Sequence, residues 1–438
     1  MEWWLITIIM FGGLFLLLLV APLPIAYCLG IMGLIGTYVW WGGWGGVTGM
    51  AATAFSQTAN FIFGPIPMFI LMGDIIVVTG ISARAFRALD KLAGRVRGSL
   101  AYATTVLTTI FGAVTGFSPA SCAAIGSVAI PEMLKRKYDP KLAVGVVGGG
   151  AALAILIPPS ILMVQYGGLA EVSIGRLFMA GVVPGLVSSA LFMAWIFFRS
   201  IVAPAGLPRG AEAVPWKDKL AGLVQLLPLA IIIFMVLGTL YMGMATPSEV
   251  AAMGCIAALA MAVGYRVLNW TTIRNVLLST VRINAMVFAI IFGAQIFTQV
   301  LVYVQIPVTL SQLIISLPVS RWVIMWAMQA LLIIMGCFMA PVAILAITVP
   351  IFAPVVKVMG FDLMVFGVIL MINMELATLT PPVGLNLFVL MATVPKDSGI
   401  TIIDIVKGVT PFVVLHGITM VIVAYVPQLA LWLPSMMR

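Results

Sequence analysis

The chain has 438 residues, of which 63% are hydrophobic and 8% charged, with a mean hydropathy of +1.22. A soluble core of this length does not carry so much apolar surface, so the composition indicates a polytopic membrane protein and excludes an ordinary soluble enzyme or binding module. The net charge is +9, but the 22 Lys and Arg lie in short loops between apolar runs, which suits membrane orientation rather than nucleic acid.

Apolar runs of about twenty residues mark spans. Trp4–Val20 is the first; Met1 to Val20 has no basic n-region and no small-residue cleavage site, so it reads as a retained span rather than a signal peptide. Leu23–Trp41 is the second. The stretch from Trp40 to Gln57 is rich in Gly, Thr and Trp and only weakly apolar, which predicts an amphipathic or interfacial arm. Phe61–Gly80 is the third span. Residues 99–133 could hold two passes, but the turn formers from Val114 to Ser121 bend them into a hairpin. Arg84, Arg87, Lys91, Arg95 and Arg97 precede it, and Lys135, Arg136, Lys137 and Lys141 follow, so both ends are expected in the cytoplasm. Two full spans and a re-entrant hairpin both satisfy that pattern. Residues 141–166 and Leu177–Phe198 complete the first half.

A polar linker, 199–219, with four basic residues, follows on the cytoplasmic side. Spans are predicted at Leu220–Leu240, Ser248–Tyr265 and Asn284–Tyr303, with an interfacial linker from about Arg266 to Arg282 between the last two. A second hairpin, 322–356, turns at Gly336–Val342 and is flanked closely only by Arg321 and Lys357, which predicts ends on the outer side. Residues 363–391 and a span at Val409–Leu431 close the chain.

The halves are copies. Pro131, Asp139 and Pro158 recur as Pro354, Asp362 and Pro381 at a constant displacement of 223 residues, and Pro24 recurs as Pro247. Five spans and a hairpin per half form an odd unit, so the second copy, residues 220–438, is expected to face opposite to the first, residues 1–198. The proline pairs Pro158-Pro159 and Pro381-Pro382 lie deep in apolar segments, where a proline ring removes a donor and clashes with the preceding turn. Lipid supplies no water for the freed backbone, so such breaks must be buried in protein or line a wet cavity. The expected fold class is thus an all-α membrane protein of two inverted-topology repeats, each with a re-entrant helical hairpin and a Pro-Pro-broken helix.

Paired broken helices at mid-depth are a transporter architecture, because helix N-termini favour anions and C-terminal carbonyls favour cations. Hydroxyl and carbonyl oxygens suit a hard cation such as sodium. The candidate sodium ligands are Thr115, Gly116, Ser118, Ile157 and Ser160 in the first repeat, and Gly336, Thr378, Thr380 and Gly384 in the second. Ser118, Ser121, Ser160 and Asn386 are the candidate substrate contacts. For any one hydroxyl, helix packing is an equal reading. About two sodium sites are expected, with no other metal and no organic cofactor.

The remaining polar residues invite plainer readings. Cys28, Cys122, Cys255 and Cys337 show no paired spacing and read as small core residues; His416 is the lone histidine and reads as a satisfied packing residue. Glu375, six residues before the second proline pair, could take a proton or brace the break, and a brace is the preferred reading. Asp74 and Glu132 are expected to be solvated or paired with nearby basic residues, and Glu171 and Arg176 to lie in an outer loop. Glu249 in Thr246-Pro-Ser-Glu249 fits a capped helix start.

With these residues in hand, the chain resembles the large membrane subunit of tripartite ATP-independent periplasmic (TRAP) transporters. The resemblance rests on Gly112 to Ser118, Ile157-Pro-Pro-Ser160, Tyr166-Gly167 with Ser173-Ile-Gly175 and Ala180-Gly181, Thr246 to Glu249, and Thr380 to Asn386. It implies an elevator-type carrier of the ion-transporter kind in a bacterial inner membrane, surrounded by lipids and driven by sodium. It also implies a small four-helix membrane subunit and a periplasmic substrate-binding protein as partners, and a small carboxylate or sulfonate as cargo. Many members of the family carry an acidic residue at the second hairpin tip, where Ala340 stands here before Pro341, which favours carbonyl coordination at that site.

Three rival readings remain. A standalone sodium-coupled dicarboxylate carrier would need no binding protein. An intramembrane hydrolase using Ser118 or Ser121 needs a base within hydrogen-bond reach, and the one histidine lies in the other half. A channel needs no duplicated pair of hairpins.

Overall fold

Prolines, glycines and a few capping side chains cut the apolar runs into helices. The computed structural model describes residues 3–20, 23–209, 215–382 and 384–437. Met1 and Glu2, on which part of the reading of the chain's start rests, lie outside them, as do residues 210–214 of the linker. Among the described residues every regular element is helical, apart from a single backbone bridge between Arg97 and Arg209. Among the described residues seven helices are long and apolar enough to cross a membrane, and several shorter apolar ones accompany them.

The first copy contains α1 (Trp3–Val20), α2 (Ile25–Trp40), α3 (Gly43–Thr58), α4 (Pro65–Val78), α5 (Ile81–Ala93), α6 (Ser99–Thr115), α7 (Ser118–Lys135), α8 (Pro140–Ala152), α9 (Ile161–Ala170) and α10 (Ile174–Val202). The second contains α11 (Trp216–Ile233), which runs through a π turn at Phe234–Gly238 into α12 (Thr239–Tyr241). Then come α13 (Pro247–Gly264), α14 (Trp270–Tyr303), α15 (Ile306–Ser316), α16 (Arg321–Gly336), α17 (Pro341–Val358), α18 (Leu363–Leu379), α19 (Leu385–Thr393), α20 (Ile402–Tyr425) and α21 (Gln428–Ser435). The displacement of 223 residues governs element ends: α7 and α17 match at both, and α5 and α15, α9 and α19, and α10 and α20 match at their C-termini. The repeated Asp has a mechanical role. Asp139 accepts from Lys141 N, and Asp362 from Met364 N and Val365 N, so each caps the helix that leads into a proline pair.

Several expectations change. The segment from Arg266 to Arg282 is not a linker: from Trp270 it is already α14, a helix of 34 residues capped by Asn269. No Pro or Gly falls between Trp270 and Phe292, whereas Asn60, Gly64 and Pro65 divide the matching stretch of the first copy into α3 and α4. At 1.5 Å per residue α14 is about 51 Å long, well beyond a hydrocarbon core of about 30 Å. The last span does not run from Val409 to Leu431. It starts at Ile402, capped by Thr401, and stops at Tyr425 because Pro427 turns the chain into α21. Trp40–Gln57 contains helix α3, which buries only Met50 and Ala54. The helices α5 and α15 had no counterpart among the predicted elements. Glu249 and Thr246 form the reciprocal capping box expected of a helix start.

Packing divides the elements into two sets. Helices α6–α10 interlock with α16–α21, while α1–α4 and α11–α14 pack mainly on one another around them, and α5 and α15 bridge the two sets by packing on the first and second hairpins. The inner set holds both hairpins and both broken helices. α8 and α20 cross closely: a Cβ on Gly145 would collide with Gly408 O, and one on Gly149 with the Phe412 ring. Small residues here let two backbones approach.

Candidate functional site

Four chain reversals meet in the inner set. In the first hairpin, α6 ends at Gly116, whose φ of +60° is left-handed, and Phe117 leads straight into α7 at Ser118. A side chain at Gly116 would run into Pro159 O, so only glycine lets this tip lie on the first break. Gly116 O in turn accepts from Ile161 N at 3.3 Å, joining the tip to the start of α9. In the second hairpin, α16 ends at Gly336, packed so closely on Ala377 of α18 that a Cβ would strike it. The chain then passes Cys337–Ala340 and enters α17 at Pro341. Both proline pairs are joined by cis peptide bonds, Pro158-Pro159 and Pro381-Pro382.

The hairpins also cross over to the opposite breaks. Asn386, at the start of α19, donates Nδ2 to Ser118 Oγ at 2.6 Å and to Thr378 Oγ1 at 3.3 Å. Gln165 of α9 donates Nε2 to Val342 O, at the start of α17, at 2.7 Å. All four reversals therefore surround one cavity of about 50 Å³, whose lining includes Gly116, Ser118, Leu162, Ala340, Thr378 and Leu385, with Met286 and Val287 of α14 closing one side. No lining residue is charged.

This cavity offers two kinds of polar group. The N-termini of α7, α9, α17 and α19 converge on it, and three lack a side-chain cap: Phe117, Ala340 and Gly384 occupy those cap positions, while Ser160 caps α9 through Met163 N. Uncapped N–H groups at a helix start suit an anion. Ser121 Oγ, Gln165 Oε1 and Asn386 Oδ1 are buried around it without a hydrogen-bond partner. Acceptor oxygens left in that state suit a hard cation.

The structure gathers some of the expected site residues and separates others. Gly116, Ser118 and Thr378 line the cavity, Asn386 bonds two of them, and Ser121 lies about one turn along α7 from Ser118. Thr115 turns its hydroxyl back to Phe111 O, and Thr380 does the same to Leu376 O, so both satisfy helix backbone. Ile157 packs against Gly185 of α10, Gly336 against α18, and Gly384, at φ +39°, shapes the entry to α19. Gln165 was missed. Its only signal was an amide inside an apolar run, and it has no polar counterpart at the matching position, Phe388.

A second polar centre lies behind the breaks. Glu375 Oε2 of α18 is 2.8 Å from His416 Nδ1 of α20, and both side chains are fully buried. His416 Nε2 is 3.2 Å from Gly149 O of α8, and Phe192 packs edge-on to the ring. A carbonyl can only accept, so Nε2 carries a hydrogen and Nδ1 faces the carboxyl group. Glu375 is thus a brace between the broken helices, and His416 is its partner rather than a base for Ser118 or Ser121. Asn373, also on α18, donates to Gln329 O at 2.9 Å and Oε1 at 2.8 Å.

Among the other polar residues, Glu132 pairs with Arg136 at 2.9 Å as expected. Asp74 does not pair with a basic residue: it accepts from Thr280 Oγ1 of α14 at 2.9 Å, because α4 packs against α14 at that level. Cys28 and Cys122 are buried, but Cys255 and Cys337 are partly exposed; all four are free thiols.

Comparison with known proteins adds the lineage. Residues 11–429 match the family model described as the tripartite ATP-independent periplasmic transporter, DctM component. The chain is 34% identical over 390 residues to the C4-dicarboxylate TRAP transporter large permease protein DctM of Pseudomonas aeruginosa, covering 89% of this chain and 90% of that one. It is 32% identical over 428 residues to the isethionate TRAP transporter permease protein DctMQ of Oleidesulfovibrio alaskensis, covering 96% of this chain and 65% of that one. Among solved structures it resembles the YdaH transporter of Alcanivorax borkumensis, with a TM-score of 0.62, 15% identity and 98% of each chain covered. The Neisseria gonorrhoeae MtrF structure follows at a TM-score of 0.59, 13% identity and 93% of each chain. At those identities the two structures speak for the fold alone.

Proposed function

This multi-pass membrane protein belongs to the DctM component family of tripartite ATP-independent periplasmic transporters, and on that basis we propose that it is the permease of a sodium-coupled importer of a small organic acid in a bacterial inner membrane. The observation that carries this reading is the meeting of both hairpin tips and both breaks around one uncharged cavity, cross-tied by Asn386 to Ser118 and by Gln165 to Val342. Relatives named for C4-dicarboxylates and for isethionate support a carboxylate or sulfonate as cargo.

In this reading the uncapped starts of α7, α17 and α19 hold the acid group through backbone N–H, and Ser118 and Thr378 orient it by hydroxyl contacts. Ser121 Oγ, Gln165 Oε1 and Asn386 Oδ1, with carbonyls at the tips, hold sodium, whose binding supplies the drive for uptake. A cavity of about 50 Å³ has room for little more than a water or two, so tips and breaks must part to admit an acid. The inner set of helices, carrying all four reversals, is the body we propose moves as an elevator between α1–α4 and α11–α14, with the two copies inverted in the membrane. The relative named DctMQ has about a third of its length outside the match, which supports a separate small membrane subunit here, alongside a periplasmic binding protein.

The rival within the same class is a sodium-coupled dicarboxylate carrier that works alone. Uptake of radiolabelled organic acids by proteoliposomes separates the two. The tripartite reading expects accumulation only with an inward sodium gradient, the small subunit and a loaded binding protein together. Equal uptake without the binding protein favours the standalone carrier, and uptake indifferent to sodium overturns the coupling.

A further inference from the structure

We propose that the cleft between α5, α11 and α13 binds the phosphate headgroup of an anionic phospholipid. This open cleft of about 500 Å³ is lined by Arg84, Arg87, Lys91, Val224, Gln225 and Tyr265. The three basic residues follow one another on α5 at helical spacing, and the Arg84 guanidinium sits 4.0 Å from the centroid of the Tyr265 ring.

Among the described residues none of the three lies within ion-pair distance of a carboxylate. The acid on the same helix, Asp90, is committed elsewhere, giving its oxygens to Arg136 at 3.3 and 2.8 Å. Glu249 caps the opposite end of α13, and Asp218 of α11 does not line the cleft. Three converging cations without a counter-ion make an anion site, and two of them are arginines, which match phosphate oxygens by geometry as well as by charge.

The surroundings favour a lipid over a free anion. The cleft forms where two membrane-length elements end beside a third: α4 turns into α5 after Val78 and α13 stops at Gly264, next to Val224 and Gln225 of α11. Tyr265, which lines the cleft, is an aromatic type of a membrane interface. Directly beside the basic residues, α11 presents Leu220, Leu223, Val224 and Leu227, each about half exposed or more, as an apolar track on which acyl chains can lie. A soluble phosphate would use the charges and leave that track idle. Occupancy would also steady α5, which packs on both arms of the first hairpin.

The test uses the full chain, purified and delipidated in neutral detergent, with native mass spectrometry of lipid retention. Dioleoylphosphatidylglycerol, dioleoylphosphatidylcholine and glycerol phosphate are supplied in parallel. The proposal expects phosphatidylglycerol to be retained in preference to phosphatidylcholine and not displaced by glycerol phosphate. The triple variant Arg84→Gln/Arg87→Gln/Lys91→Gln should bind phosphatidylglycerol about a hundredfold more weakly, at about fivefold per basic residue. Lys135→Gln/Lys137→Gln, which removes two exposed charges that do not line this cleft, should stay within about twofold of the parent. If the triple variant does not purify as a single species, Lys91→Gln alone, at an exposed position, should still lose about fivefold. Equal retention by parent and variant, equal retention of the two lipids, or displacement by glycerol phosphate would each overturn the proposal, the last by assigning the cleft to a soluble anion.

Discussion

Glu375 and His416 meet at 2.8 Å with neither side chain exposed, and His416 reaches on to Gly149 O, so one buried contact ties α18, α20 and α8 together. The two broken helices are held to one another through this contact. Removing one partner strands the other in an apolar interior, at a cost of about 3–5 kcal/mol, whereas removing both leaves no uncompensated charge. His416→Leu should therefore lower the thermal stability of the purified protein strongly, and Glu375→Gln/His416→Gln should recover part of the loss. Equal losses in the single and double variants would contradict the brace.

Gly116 has a left-handed φ of +60°, and a Cβ there would meet Pro159 O. Gly116→Ala adds about 1–2 kcal/mol of backbone cost and pushes the tip off the first break. Uptake in proteoliposomes should fall by about tenfold or more. Gly417→Ala, on α20 with open space around it, serves as the control and should leave uptake near the parent's.

Asn386 and Gln165 each carry a cross-tie and an unpartnered oxygen, and Ser118 holds Asn386 in place by accepting from its amide. Ser118→Ala and Gln165→Leu should raise the sodium concentration needed for half-maximal uptake by about tenfold, the equivalent of one charge-assisted contact. Thr380→Ala should do less, since that hydroxyl is spent on Leu376 O. Unchanged sodium dependence in both Ser118→Ala and Gln165→Leu would remove these residues from the coupling site.

Arg136, at the end of α7, bonds Asp90 of α5 through two nitrogens, so the pair joins the inner helix set to bridging α5. Both partners are partly exposed, and the pair is worth at most about 1 kcal/mol. If the inner set slides past α5, the contact breaks in every cycle. Asp90→Asn should shift the conformational balance by up to about fivefold, measurable as a changed rate of crosslinking between cysteines placed on α5 and α7. An unchanged rate would mean that α5 travels with the hairpin.

If the two copies are inverted, the ends of the two hairpins lie on opposite membrane faces. Single cysteines at Lys137 and Met359, in a background with the four native thiols replaced, should react with an impermeant maleimide from opposite sides. Labelling from one side would refute the inversion.

How much of this was legible depends on the range of the forces involved. The displacement of 223 residues, the two hairpin turns and the two breaks could be read directly, because proline and glycine act on their own turn of the chain. The readings that changed did so for two reasons, a local stop that was absent and a partner on another helix. Arg266–Arg282 looked like a linker by its charge, but with no Pro or Gly to stop it the helix runs on as α14. Asp74 reads as solvated or paired with a basic residue, but α14 supplies Thr280 instead. Gln165 and the Glu375–His416 contact gave no sign of their partners, which sit on other helices.

Sequence alone determined where helices start, stop and break, since Asp139 and Asp362 cap, the proline pairs interrupt and Gly116 turns by local backbone chemistry. Only the tertiary structure decided that the first tip is tied to the second break and the second tip to the first. Those ties join residues 268 and 177 positions apart, Asn386 to Ser118 and Gln165 to Val342, and their meeting depends on how whole helices pack rather than on anything the intervening chain encodes locally.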